Sequence, residues 1–192
     1  MSALRAKSQD LMRIVASWRL CPNKLRAKIL RKLGWTIGHG SAVFWGILPT
    51  TSDVHIGEGA VVGHNTFFDG RGSVFIEDKV RMGSYVKILT TTHPIEASEH
   101  RSPFGVDHDL TTTIGYGSWL GAGVILLPGV TVARGCVIAA GAVVAKDTQP
   151  NGLYAGVPAR RLKNLPVEQP ASVQGNILPN ADQFAAPTAL AS

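Results

Sequence analysis

Aliphatic residues fall at every sixth position from Ile114 through Leu120, Leu126, Val132, Ile138 and Val144. The residue after each is mostly small: Gly115, Gly121, Leu127, Ala133, Ala139 and Ala145. An earlier block carries the same pattern at Ile56-Gly57, Val62-Gly63 and Phe68, and again at Ile76-Glu77, Met82-Gly83 and Ile88, with Ile37-Gly38 and Val43 as its start. A period of six fits neither an amphipathic helix at 3.6 nor an alternating strand at 2. It fits short strands separated by turns, each turning one aliphatic side chain toward a narrow axis. Three such strands make a triangular coil, and stacked coils share one core and one ladder of backbone hydrogen bonds. The small residue beside each aliphatic one eases the corner, and the 21 glycines suit a fold with many tight turns.

The rhythm breaks twice. It slips by two residues between Phe68 and Ile76, which predicts a bulge or short loop near Asp69 to Ser73. It stops between Ile88 and Ile114, where the chain reads TTTHP and then an insertion over 91–111 with Glu96, Glu99, His100, Arg101, Asp107, His108 and Asp109. Loops this long in compact folds are usually functional or mobile. The apolar run from Trp119 to Ala145 has the length of a membrane span. Its five glycines, Pro128 and six-residue period exclude that reading.

The ends differ from the repeat. Residues 1–34 carry nine of the nineteen Lys and Arg, with Asp10 as the one acid. Leu11, Ile14, Val15 and Trp18, then Leu25, Ile29 and Leu33, recur at helical spacing, and Pro22-Asn23 separates two short helices. This basic amphipathic segment packs on the rest of the protein or touches an anionic membrane surface or lipid-linked phosphate. Nucleic acid is not expected, because no recognition motif accompanies the charge. Residues 166–192 are rich in Pro, Ala and Gln with no Lys or Arg, and read as an extended or disordered tail. Cys21 and Cys136 form no disulfide or zinc pattern. The N-terminus lacks the apolar core and cleavage site of a signal peptide. A cytoplasmic setting, with possible peripheral contact at the inner face of a membrane, is expected.

His93 is the candidate for acid–base chemistry. It stands at a break in the repeat, between threonines and the stiff Pro94, and an imidazole with a pKa near 6.5 suits proton abstraction at neutral pH. His39 and His55 occupy ordinary turn positions; His64, His100 and His108 also read as structural or solvated. Cys136, beside Val137 and Ile138, reads as a packing residue, and Ser84 and Ser118 sit in turn contexts. No covalent nucleophile is therefore expected.

The segment IGYGSWLGAGVILLPGVTVARGCVIAAGAVVAKD, together with AGVPARRLK and TTTHP, resembles the hexapeptide-repeat acyltransferases, in the branch of the maltose, galactoside and nodulation-factor O-acetyltransferases. The resemblance covers residues 35–165. It implies a left-handed parallel β-helix, a winding that periodicity does not derive and that is rare elsewhere. It also implies a homotrimer with active sites between subunits, and acetyl-coenzyme A as the acyl donor. The acceptor hydroxyl would belong to a sugar of a polysaccharide, lipid-linked saccharide or secondary metabolite, and His93 would be its general base. By match with HNTFFDGRG, Asn65 and Asp69 would contact the acceptor, although relatives carry more Asn there and place the acid a residue or two later. Glu96 would orient His93 or touch the acceptor. The donor would run along Trp119, Gly121, Ala122, Ala139, Ala140, Ala145 and Lys146. The amide near Ala122 is a candidate oxyanion donor, and Lys146, Arg160 and Lys163 would meet the phosphates. Residues 1–34 lack the acidic substrate-contacting module of maltose-type enzymes.

Two other classes are considered. A non-catalytic trimeric scaffold would need neither TTTHP nor the cations after GVPAR. A zinc enzyme on this fold would need paired histidines at ligand spacing, which the chain lacks, so no metal is expected.

Overall fold

The computed structural model describes residues 3–49, 51, 53–99, 101–102 and 107–167. The expectations for His100 and for a tail over 166–192 fall wholly or largely outside these residues.

The six-residue pattern folds as its spacing predicts. Two- and three-residue strands stack into three parallel sheets that form the faces of a prism. The first face carries Thr36–Ile37, Val54–Ile56, Val74–Ile76, Thr112–Ile114 and Thr131–Val132. The second carries Ala42–Val43, Val61–Val62, Arg81–Met82, Trp119–Leu120, Val137–Ile138 and Gly152–Ala155, and Arg160–Asn164 closes it antiparallel. The third carries Leu48–Pro49, Phe67–Asp69, Lys87–Leu89, Ile125–Leu126 and Val143–Val144. Reading one strand from each face in turn gives five full coils and the start of a sixth.

Each repeat aliphatic points inward. Ile114, Leu120, Leu126, Val132 and Ile138 have no solvent exposure, and Val144 has 1%. Burying such a side chain contributes about 1.5–3 kcal/mol, so the column of aliphatics is the main source of stability. The small partner residue answers a backbone contact between coils. A Cβ at Gly115 would lie 2.6 Å from Arg134 N in the next coil. Gly115→Ala should therefore separate the fourth and fifth coils and cost about 1–3 kcal/mol of stability, measurable as a lower urea midpoint.

Both breaks in rhythm lie where expected. Ile56 pairs with Ile76 twenty positions on, and the two extra residues form the turn after Phe67–Asp69. Val74 pairs with Thr112 across 38 positions, so the third coil absorbs the whole insertion. The insertion is anchored by a short antiparallel ladder in which Thr91–Thr92 faces His108–Asp109.

Two helices precede the coils, α1 (Ala3–Ser17) and α2 (Asn23–Lys32). Pro22 caps the start of α2: its φ is −59°, it has no N–H to strand, and its carbonyl accepts from Arg26 N at 2.9 Å. Leu30, Leu33 and Trp35 are buried and close one end of the core, with Trp35 set edge-on to Phe68 at 4.9 Å. Most of the apolar residues read at helical spacing in the first helix turn outward. Leu11, Ile14 and Trp18 are exposed, whereas Met12 and Ala16 pack on the core. Arg26 is likewise no surface charge. It is 1% exposed, and its five N–H groups donate to Ala16 O, Trp18 O, Cys21 O, Val43 O and Asn23 Oδ1 at 2.6–3.0 Å. Burial pushes its guanidinium below its ordinary value, while the five acceptors stabilise the charge.

Candidate functional site

Two edges of the prism carry the candidate residues. The edge between the second and third faces is a ladder of corner hydrogen bonds. Asn65 N donates to Trp45 O, Tyr85 N to His64 O, Gly123 N to Ser84 O and Gly141 N to Ala122 O, all at 2.8–3.0 Å. The corners of five coils are thus stacked in one line.

Two clefts open along this edge. The upper one, ≈ 610 Å³, is lined by Gly83, Trp119, Gly121, Ala122, Ala139 and Ala140, with Leu153 and Gly156 beyond. Five of the expected donor-binding residues therefore share one groove. The groove exists because its corners are small: a Cβ at Gly121 would strike Ala140 N at 2.5 Å. The lower cleft, ≈ 660 Å³, lies between the end of α1 and the first two coils. Ile14, Trp18, Arg19, Trp45 and Asn65 line it, and Gly46 N donates to Ser17 O to hold α1 there. The guanidinium of Arg19 lies 5.7 Å from the centre of the Trp45 ring. Strands are stacked about 4.8 Å apart, so the second-coil Asn65 and the fourth-coil Ala122 are separated by about 10 Å along the edge. The lower cleft ends at the second coil with Asn65, and the upper one reaches down to the third with Gly83.

The other edge, after the third face, carries His93. Its Nδ1 is 2.9 Å from Asp107 Oδ1. A carboxylate only accepts, so in the neutral imidazole Nδ1 holds the proton and Nε2 presents its lone pair. Arg71 braces the carboxylates: Nη2 donates to Asp107 at 2.8 Å and Nε to Asp109 at 3.2 Å. Thr91 Oγ1 donates to Asp109 at 2.7 Å. Glu96 does not orient His93; its backbone N–H instead donates to Arg101 O. Asp107 fills that role, and Asp107, Asp109 and Arg71 were not among the residues expected at the site. Topology could have exposed them. A loop that leaves the third coil at one corner and enters the fourth at the same corner must bring its two ends together, so 91–93 and 107–109 face each other.

The remaining expected residues are distributed. Asp69 ends a third-face strand on the His93 edge, where its carbonyl accepts from Thr90 N and Thr90 Oγ1. Ala145 and Lys146 follow Val143–Val144 and so stand at that edge too, outside the donor groove. Arg160 and Lys163 are exposed on the closing strand. Asn65 and Asp69, both expected at the acceptor, are thus on different edges. Of the other histidines, His55 pairs with Asp53 at 2.8 Å and stacks on Phe75, His64 packs against Phe44 and Trp45, and His108 is exposed on the loop ladder. The Cys136 sulfur is buried beside Gln149 O at 3.2 Å, which agrees with a packing role. Among the described residues, no group of three or more His, Cys, Asp or Glu is arranged to hold a metal ion.

Comparison with known proteins agrees with this geometry. The family model described as bacterial transferase hexapeptide (six repeats) matches residues 111–146. A putative acetyltransferase of Schizosaccharomyces pombe is 38% identical over 113 residues, covering 59% of this chain and 54% of that protein. The chain spans about half the length of the curated relatives it matches. Among solved structures, a maltose O-acetyltransferase from Clostridium difficile is 30% identical, with a TM-score of 0.72 over 86% of this chain and 90% of that one. A hexapeptide-repeat acetyltransferase of Vibrio cholerae, solved with acetyl-coenzyme A, is 27% identical, with a TM-score of 0.71 over 85% of this chain and 88% of that one.

Proposed function

The chain belongs to the bacterial hexapeptide-repeat transferases, and from that premise we propose that it is an O-acetyltransferase moving the acetyl group of acetyl-coenzyme A to a sugar hydroxyl. The observation that carries this reading is the His93–Asp107 pair, standing at the third coil, level with Gly83 at the end of the upper cleft.

Within one protomer His93 and the clefts lie on different edges. A three-fold axis parallel to the prism axis preserves height. It would therefore bring the third-coil His93 of one copy to the height of Gly83, at the end of the upper cleft of the next. The scatter of the expected residues over two edges is what an inter-subunit site requires, and it supports a homotrimer. Asn65, Gly121, Ala122, Ala139 and Ala140 would come from one copy, and Asp69, His93 and Lys146 from its neighbour.

The chemistry follows from the donors and acceptors present. In the upper groove, exposed backbone groups and apolar corners suit a long thioester substrate. Lys146, Arg160 and Lys163 offer cations for its phosphates. In the lower cleft, Trp18 and Trp45 offer flat apolar faces to a sugar ring, and Asn65 an amide to its hydroxyls. Nε2 of His93 takes the proton of the acceptor hydroxyl as its oxygen attacks the thioester carbonyl. The amide near Ala122 faces the oxyanion that develops. On collapse the C–S bond breaks, and the imidazolium returns its proton to the departing thiolate. Asp107 keeps Nδ1 protonated and stabilises the imidazolium in between.

Incubating the protein with acetyl-coenzyme A and a panel of sugars tests the reading. Acceptor-dependent release of thiol is expected, and its absence across the panel, with no stabilisation by coenzyme A, would overturn it. Asp107→Asn offers Nδ1 an amide in place of a carboxylate. It should lower kcat about 10–100-fold, displace the pH–rate profile and leave the KM for acetyl-coenzyme A unchanged.

A further inference from the structure

The helical pair turns a large apolar and basic face away from the β-solenoid. Leu11 and Ile14 on α1, and Trp18 just past its end, are spaced i, i+3, i+7 and are 59–65% exposed. At 100° per residue they lie about 140° around the helix from Met12 and Ala16, which pack on the core. Leu20, in the connection, is 72% exposed. On α2 the outward positions at the same spacing are Leu25, Lys28 and Lys32, opposite the buried Arg26, Leu30 and Leu33. Each helix thus has one side packed on the protein and another turned to solvent.

Charge identifies a partner for that side. Residues 1–34 hold nine cations and one acid. The acid, Asp10, is paired with Arg13 at 3.2 Å. One cation, Arg26, is buried and fully hydrogen-bonded, so the excess of positive charge rests on the others. Exposed leucines with tryptophan on a short helix, beside a surplus of lysine and arginine, match the chemistry of a bilayer interface, where acyl chains take the apolar groups and headgroup phosphates the cations. No helix among the described residues is long and apolar enough to cross a membrane. The contact is therefore one of lying on the surface.

We propose that the outer face of α1 and α2 docks this protein on the surface of an anionic lipid bilayer. The inference is independent of the acetyl-transfer reading. It has a consequence for that reading, because Ile14 and Trp18 also line the lower cleft. A docked α1 would open that cleft toward headgroup level.

Flotation of the full chain with vesicles tests the proposal. Vesicles of phosphatidylcholine with phosphatidylglycerol should retain roughly ten-fold more protein than phosphatidylcholine alone. Raising salt from about 0.1 M to about 0.5 M should reverse most of the difference. The double substitution Leu11→Ser/Leu20→Ser lies outside both clefts. It should cut retention roughly ten-fold while the melting temperature and the oligomeric state stay unchanged. Equal retention on both vesicle types, or retention on neither, overturns the proposal. So does a change of oligomeric state in the double variant, which would mean that a second copy covers this face.

Discussion

His93→Ala is expected to lower kcat by about 10²–10⁴-fold, the usual contribution of a positioned general base. Stabilisation by coenzyme A should be largely kept, because the groove is built from Gly83, Ala122, Ala140 and their neighbours, which the substitution leaves unchanged. That makes the measurement sharp. A variant that loses transfer but keeps its coenzyme A-induced rise in melting temperature has lost the base alone. Unchanged transfer would remove His93 from the mechanism. Loss of both transfer and coenzyme A stabilisation would mean that the loop at 91–111 shapes the donor groove. Comparing kcat with KM then divides the effect, since an interaction present only in the transition state lowers kcat and leaves KM alone.

The largest effect on stability is expected at Arg26. Arg26→Met keeps much of the side-chain volume but takes a donor from Ala16 O, Cys21 O and Val43 O, while Trp18 O keeps the one from Cys21 N. Unsatisfied buried carbonyls cost about 1–3 kcal/mol each before relaxation. Partial rehydration should bring the total to about 3–5 kcal/mol, or roughly 6–20 °C in melting temperature for a chain of this size. Arg26→Lys, with three donors on one nitrogen, should recover only part of the loss. Hydrogen exchange should locate the damage in α1 and its junction with the first coil. A melting temperature within about 2 °C of the parent would refute the role assigned to Arg26.

Much of this architecture was legible because its signal is one-dimensional. Each coil repeats the same inward positions, so Ile114 to Val144 could be read as core without knowing any long-range contact. Both interruptions were legible for the same reason, and they mark the turn at Gly70–Ser73 and the loop that presents His93. Legibility failed where a residue's role depends on partners outside its own repeat. Arg26 looked like one cation among nine, and its burial is decided by four carbonyls that converge only when α1, the connection and the first coil meet. Which way the α1 stripe faces was not legible, because an exposed apolar stripe and a buried one have the same period.

The candidate site divides along the same line. His93 could be picked out by its context, but its partner could not. Asp107 lies fourteen residues on, among other acids, and only the antiparallel return of the loop brings it to Nδ1. The amino-acid sequence by itself determined the coil, the core, the two breaks and the candidate base, because periodic burial is written locally. The hand of winding was implied only by the family resemblance, since either hand presents the same six-residue pattern. The tertiary structure alone decided which residues share an edge. Edges are built from residues a whole coil apart, and the corner hydrogen bonds that align them leave no mark in the order of the chain.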